Sequence, residues 1–368
     1  MDKLEQLIEI VNKEIEENKA FPGANLAIVT MENKTFLSLG KKSLYTVDDN
    51  NNLIDKVEEN TLDTIYDMAS LSKVVSTTSC VLKLIDMGLL RIATSVKKVL
   101  PRFKHENVTI WNLLTHTAGL PEGVRGLMNM KTSDEVMNFI YDVDLIYTPG
   151  EKIVYSDIGF ILMGKIVEEL SGKTLDVFAK ENIFDPLEMY NTGYNPKNKE
   201  QCAPTEHRND NLYKGMVQGF VHDETALLLG GVAGHAGLFS TVNDISNFIE
   251  MILNDGLYNG KRILSERVVN LIFIPQVQQA PGVTMHGTIR SIGWMLGGFG
   301  GPNGDLTYPE ATIHHTGFTG TSLWIDKYNH VGFCMLTNRV HPTRNNPKHI
   351  DARAKISNFI MANLEEFE

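Results

Sequence analysis

Ser70 precedes Lys73 by three positions at the head of an apolar run, and this pair is where chemistry first becomes legible in the 368-residue sequence. Leu71, Val74, Val75, Thr78, Val81, Leu82 and Ile85 follow at helical intervals up to Gly88, so the spacing predicts one amphipathic helix closed by that glycine. Residues three apart share a helix face, which sets the Ser70 hydroxyl beside the Lys73 amine in the first turn. Unpaired N–H groups and the positive end of the dipole there favour developing negative charge and oppose a protonated lysine. Such surroundings suit a nucleophile and its base. A serine at a helix start is more commonly just an N-cap, so the pair needs support from the rest of the chain.

Four other places hold residues of chemical interest. His116 lies at the end of a short helix expected from Thr109 and stopped by Gly119 and Pro121, where a histidine usually satisfies local carbonyls. Tyr155-Ser-Asp157 follows the loop Tyr147-Thr-Pro-Gly-Glu151 and opens a helix expected from Asp157 to Leu170, with Asp157 a possible N-cap and Tyr155 a possible core residue. His315-Thr316-Gly317 lies in a strand whose small Thr-Gly step would let a substrate backbone lie along its edge. The Gly- and Ala-rich stretch from Leu227 to Gly237 fits neither phosphate-loop pattern and reads as close backbone packing. His222, Asp223 and His235 lack the spacing of a metal-hydrolase motif, and no cofactor or metal is expected.

In order, Ser-x-x-Lys, Tyr-x-Asp and His-Thr-Gly resemble the three motifs of the serine β-lactamase and penicillin-binding protein superfamily, in particular the branch of class C β-lactamases with their esterase and D-amino-acid peptidase relatives. Leu113-Leu-Thr-His-Thr-Ala-Gly-Leu-Pro121, Pro149-Gly-Glu, Gly237-Leu-Phe-Ser-Thr-Val-Asn-Asp244 and Gly317-Phe-Thr-Gly-Thr-Ser belong to the same resemblance, which runs from about Glu14 to the C-terminus. It implies Ser70 as acylated nucleophile, Lys73 as its proton partner and Tyr155 as second general base, with a phenolate favoured by nearby positive charge. It also implies an oxyanion hole from the Ser70 and Phe318 N–H groups, substrate contacts from Asp157, His315, Thr316 and Gly317, and hydrolysis of a small amide or ester through an acyl-enzyme. A sensor or binding protein with little turnover is the alternative, and the completeness of the three motifs weighs against it.

Two residues depart from the pattern. Asp157 stands where penicillin-recognising members have asparagine, and His315 where they have lysine. Asp157 is therefore expected to hold Lys73 protonated, shifting the base role to Tyr155, or to receive a substrate ammonium. His315 is expected to contact a substrate carboxylate with a charge that titrates at about pH 6 to 7. Both departures favour esters, amides or amino-bearing substrates over bicyclic β-lactams.

The elements that must position these residues divide unevenly along the chain. Ala24 to Thr30 and Lys34 to Gly40 read as a hairpin, and the polar residues from Val47 to Glu59 as a loop. Helical spacing recurs at Ser133 to Tyr141, Asp157 to Leu170 and Thr174 to Asn182, while Asn191 to Glu224 is polar and irregular. Helices from Asp244 to Asn254 and Ser265 to Ile274 precede strands at Ser291 to Gly297, His314 to Phe318, Thr321 to Ile325 and Val331 to Thr337, and a helix from Asp351 to Leu364. The expected fold is α+β (α/β), an antiparallel sheet flanked by helices with an inserted mostly helical domain. Residues 1–68 plus 229–368 would form the sheet domain and 69–228 the helical one, with the active site between them.

Composition narrows the partners. A formal net charge of −11 and the lack of a Lys/Arg cluster argue against nucleic acid or an anionic membrane surface and for a small-molecule or peptide substrate. The acidic amphipathic N-terminus has no signal-peptide pattern, and no apolar run is long enough to span a bilayer. Three cysteines without metal-like spacing suit reduced thiols, so a cytoplasmic location is expected.

Overall fold

The computed structural model describes residues 2–279, 288–298, 301–308 and 311–367. Strands β1 (Gly23–Val29), β2 (Lys34–Val47) and β3 (Leu53–Glu59) come from the N-terminal part of the chain. Far downstream lie β4 (Val277–Gln279), β5 (Thr288–Arg290), β6 (Met295–Leu296), β7 (Thr312–Thr316), β8 (Ser322–Asp326) and β9 (Val331–Thr337). All join one antiparallel sheet in the order β4-β5-β6-β7-β8-β9-β1-β2-β3. The join between the two parts of the chain is the β1–β9 pair, in which Ala24 faces Thr337 and Val29 faces Gly332.

Side chains of a strand alternate between faces, and β1 and β9 are apolar on both because both faces are covered. Leu26, Ile28, Phe333 and Met335 pack with Leu7 and Val11 of α1 (Lys3–Glu16) and with Ala352, Ile356 and Ile360 of the C-terminal helix His349–Met361. Ala27, Val29, Cys334 and Leu336 face the opposite way, into a larger core with Ile245, Phe248, Ile249 and Ile252 of the helix Val242–Leu253. Capping boxes at Asp2 and Thr132 and N-caps at Ser156 and Thr241 start helices where the side-chain oxygen accepts an otherwise unpaired N–H.

Several expectations need correction. Val47 to Glu59 is not a loop throughout: Leu53–Glu59 forms β3 at the sheet edge, where exposed Leu53, Ile54 and Val57 are interspersed with charged residues that discourage further pairing. The segment after Ser70 is not a single amphipathic α-helix. It runs as a 3₁₀ turn (Ala69–Leu71), a π-helical turn (Lys73–Thr78) and an α-helix (Ser79–Asp86) ended by Gly88 at φ +71°. Every residue from Lys73 to Thr78 is buried, polar ones included, so the helix is enclosed rather than two-faced. The helix after Thr109 stops at Leu114, because His116 takes a left-handed conformation at φ 57°. Short strands β4 and β5 had no alternating apolar signal and were not expected.

The Gly-rich stretch does pack closely. A Cβ on Gly234 would lie 1.9 Å from the Phe160 carbonyl oxygen, and Thr77 donates a 2.7 Å hydrogen bond to the Gly234 carbonyl. This fixes the backbone of 234–235 against both the Ser70 helix and the helix Asp157–Ser171. The site is assembled at that contact.

Candidate active site

Ser70 sits in the 3₁₀ turn just after Ala69, whose φ of 46° is unusual for a residue with a side chain. Ala69 is held there by its N–H donating to Asp67 Oδ1 at 2.8 Å, while Asp67 Oδ2 accepts from the His222 N–H at 2.7 Å. Gly317 comes from the far strand. A Cβ there would lie 2.1 Å from Thr321 Oγ1 and 2.7 Å from the Met68 carbonyl oxygen, so the end of β7 can approach the Ser70 turn only as glycine. Thr319 and Thr321 donate to the carbonyls of Asp67 and Met68 and lock that approach.

Lys73 is fully buried. Its Nζ donates to Ser70 Oγ at 3.0 Å and to the His235 carbonyl at 3.0 Å, and it forms an ion pair with Asp157 Oδ1 at 2.8 Å. Burial alone would pull its pKa down, but the Asp157 carboxylate and Tyr155 outweigh it and hold the pKa above its ordinary value. Lys73 is thus an ammonium that donates to Ser70. Since Ser70 Oγ accepts from it, the serine proton is free to point to another acceptor.

Tyr155 lines the same cleft as Ser70. Its ring stacks on His116 at 4.6 Å between centroids, and Lys73 Nζ lies 4.8 Å from its centroid. Ser156, the N-cap of the following helix, donates its N–H to His116 Nδ1 at 3.0 Å and its Oγ to the Pro121 carbonyl at 2.6 Å. His116 is therefore a structural prop for the Tyr155 turn. Asp157, one residue past the cap, is the first helical residue and not the N-cap.

A cleft of about 220 Å³ opens onto Ser70, Tyr155 and Asp157, walled opposite by His222, Asp223, Glu224, Phe318 and Arg344. Asp223 accepts from His235 Nε2 at 2.7 Å. Burial would raise its pKa, but His235 and the Ala226 N–H hold the carboxyl well below the usual range. Ligand atoms of Asp157, Asp223 and His235 lie within 4.8 Å of one another, a spacing open to a cation, with one Asp157 oxygen engaged by Lys73. His222 instead pairs with Glu206 at 2.9 Å and stacks under Phe318 at 5.6 Å, so the grouping His222, Asp223, His235 is not formed. Arg344 bridges Glu206 and Glu224 and has no charge to spare.

His315 departs most from expectation. It is 1% exposed, its Nδ1–H donates to the Thr316 carbonyl at 2.9 Å, and its Nε2 has no partner among the described residues. Burial first, then the charges of Arg290 and Lys73, push its pKa well below the ordinary histidine value. Such surroundings disfavour the imidazolium that the expected charge at pH 6 to 7 requires. Thr316 is the last residue of β7, partly exposed, and Phe318 forms the rim of the cleft. Sequence reasoning missed Arg290, Asp223 and His235 as neighbours of the site, since each is far from the motifs and nothing local marks it.

With this geometry in place, comparison with known proteins is informative. The family model described as Beta-lactamase matches residues 11–358. An N-acetylmuramyl-L-alanine amidase of Bacillus subtilis (strain 168) is 30% identical, covering 92% of this chain and 81% of that protein. A putative D-alanyl-D-alanine carboxypeptidase of Escherichia coli (strain K12) is also 30% identical, over 93% and 83%. Among solved structures, the octameric penicillin-binding protein homologue from Pyrococcus abyssi superposes with a TM-score of 0.71 at 21% identity, covering 96% of this chain and 76% of that one. Unliganded simvastatin synthase from Aspergillus terreus reaches 0.74 at 17%, over 98% of both chains. At such identities the structural likeness speaks to the fold.

Proposed function

Because the chain belongs to the beta-lactamase family, we propose that it is a serine hydrolase that cleaves a small amide or ester, of the kind found in cell-wall-derived peptides, through an acyl-enzyme on Ser70. The observation that carries this reading is the chain of contacts Ser70–Lys73–Asp157 opening onto the same cleft as Tyr155. The amidase and carboxypeptidase named among the relatives support the substrate class. The catalytic unit is that of the class C branch, set in a cleft between the helical region 69–228 and the sheet domain 1–68 plus 229–368. A cytoplasmic location accords with three buried free cysteines.

In this mechanism the Ser70 oxygen attacks the substrate carbonyl carbon while its proton passes to Tyr155. Carbonyl electrons move onto oxygen, which the Ser70 and Phe318 amides receive. Collapse expels the amine or alcohol, protonated by Tyr155, and leaves the acyl-serine. Water then attacks with Tyr155 again taking a proton, and Ser70 departs as the hydroxyl. Lys73 holds the nucleophile and keeps positive charge beside the reacting oxygen throughout. Asp157 neutralises Lys73 in the resting site.

Intact-mass measurement after exposure to a fluorophosphonate, to activated esters and to D-amino-acid amides tests the proposal. Wild type should gain one adduct and release product, whereas Ser70→Ala should gain none while unfolding normally. An adduct on another serine would overturn the nucleophile; a stable adduct with no product would turn the reading to a sensor.

A further inference from the structure

Asp223 caps the short helix Glu224–Leu228 and lines the cleft that holds Ser70. Its Oδ1 accepts from the Ala226 N–H at 2.8 Å and from His235 Nε2 at 2.7 Å, which fixes the carboxylate in the wall. Asp157 is anchored in a similar way, with Oδ1 on Lys73 Nζ at 2.8 Å. The Oδ2 atom of each carboxylate makes no hydrogen bond or ion pair among the described residues. Side-chain exposures of 33% for Asp157 and 30% for Asp223 leave both open to the cleft.

A carboxylate oxygen of Asp157 and one of Asp223 lie within 4.8 Å of each other, close enough to repel, and a cation seated between them relieves that cost. Lys73 and His235 each meet one of the pair, but on an oxygen that is already engaged. What the two residues present to the cleft is acceptors. The opposite polarity is not on offer: Arg344, the cation among the described lining residues, is held by Glu206 at 2.6 Å and Glu224 at 2.7 Å, and His222 also pairs with Glu206. A substrate carboxylate at this wall meets anions and no open cation. An ammonium meets two open oxygens, and charge-assisted hydrogen bonds of that kind are the strong ones.

The position of the pair says where that ammonium belongs. Ser70 Oγ and Asp157 Oδ1 share Lys73 Nζ as a neighbour, at 3.0 and 2.8 Å, so a group seated on Asp157 lies beside the carbonyl under attack. The free amine nearest to a scissile carbonyl is one on the α-carbon of the acyl group. The leaving side cannot bring one as near in an ester, since the ester oxygen and a carbon chain intervene.

We propose that Asp223, together with Asp157, receives a free α-ammonium on the acyl group, so that the cleft selects aminoacyl esters and amides over N-acylated ones. The inference rests on the reading of Ser70 as nucleophile in this cleft and names the substrate class within it. It also joins the two roles expected of Asp157: one oxygen holds Lys73, and the other meets the substrate. Asp223 adds the second contact from a loop outside the three motifs.

The test measures kcat/KM of wild type and Asp223→Asn for matched phenyl esters that differ only at the α-carbon: alanyl of either hand, lactyl, N-acetylalanyl and the methylmalonyl half-ester. Rates are taken relative to spontaneous hydrolysis, because an α-ammonium activates its own ester. Wild type should favour an alanyl ester about ten-fold or more, the effect of a charge-assisted hydrogen bond in a partly wet cleft. Asp223→Asn keeps the oxygen that caps the helix and removes the charge, so most of that preference should disappear, chiefly through KM. Equal rates for alanyl and lactyl esters in wild type would show that the wall reads a donor and not a charge, and would overturn the proposal. So would a preference for the carboxylate-bearing half-ester, or equal losses on all the esters in Asp223→Asn. Rates that need an added divalent metal and vanish with a chelator would assign the carboxylates to a metal ion and overturn it too. The wild-type series decides the matter even if thermal unfolding shows that Asp223→Asn does not fold. Turnover that persists in Ser70→Ala, whatever the α-substituent, refutes instead the nucleophile on which the inference rests, and the inference with it.

Discussion

At Ser70, the three-residue offset to Lys73 produced the contact that the spacing foretold, and Asp157 meets Lys73 beside it. Lys73 Nζ meets Ser70 Oγ, the His235 carbonyl and Asp157 Oδ1, which suits the proposed role of donor better than that of base. Lys73→Ala and Tyr155→Phe should each lower kcat/KM by several orders of magnitude, since members of a coupled unit fail together. Lys73→Ala should in addition leave the Asp157 carboxylate unpaired, and a normal rate in either variant would reassign the base. At His315 burial weighs against the titrating charge expected from the sequence. With the imidazole buried and neutral, the KM of an anionic ester should stay flat between about pH 6 and 7. His315→Lys would add a third cation beside Lys73 and Arg290 and should cost about 3 kcal/mol or more of stability, measurable by urea unfolding. A stabilised variant with improved anionic binding would restore His315 as the carboxylate contact.

Among the elements, the contact that matters most is the backbone of 234–235 lying between two helices. It lets the His235 carbonyl meet Lys73, and it exists because Gly234 has no Cβ to strike the Phe160 carbonyl. Gly234→Ala should therefore lower stability by about 2 to 4 kcal/mol, the range of severe steric insertions. Its activity loss should exceed what the fraction unfolded explains, because Lys73 would be displaced as well. Normal activity in the folded fraction would show that the His235 carbonyl does not place Lys73. The 3₁₀–π–α succession after Ser70 has the same origin: the chain is enclosed on every side from Lys73 to Thr78, and tertiary contacts reset its turns.

For the whole molecule, the large number of buried histidines has a consequence in acid. Burial, foremost, lowers the pKa of His314 to about 3 and those of His341 and His349 to about 4, and it pushes His116 and His315 down as well. Their unfolded pKa is about 6.5, so in the window below it the unfolded chain binds more protons than the folded one. Each histidine then contributes stability that is complete above about pH 6.5 and lost as pH falls through its folded value, at up to about 1.4 kcal/mol per pH unit. Asp67 and Asp244, raised chiefly by burial, act in the opposite sense at lower pH. Urea midpoints should fall steeply below about pH 6, and His314→Gln should reduce the slope by about one proton. An unchanged slope would mean that His314 is already protonated in the folded chain.

Period and spacing along the sequence determined the hairpin at the start of the sheet, the helices Ser133–Asp142, Asp157–Ser171 and Val242–Leu253, the late strands, and the motifs whose Ser70, Tyr155 and Asp157 line one cleft. These are local signals: a side-chain period, a cap, a three-residue offset, each readable because the interactions that cause it lie within one turn or one strand. Tertiary structure decided the rest. Whether Lys73 is acid or base depends on Asp157, whether His315 is charged depends on its burial beside Arg290 and Lys73, and why Gly234 is glycine depends on Phe160. None of these partners is marked by its own neighbours in sequence, because desolvation, charge and steric contact act through space between segments brought together only on folding.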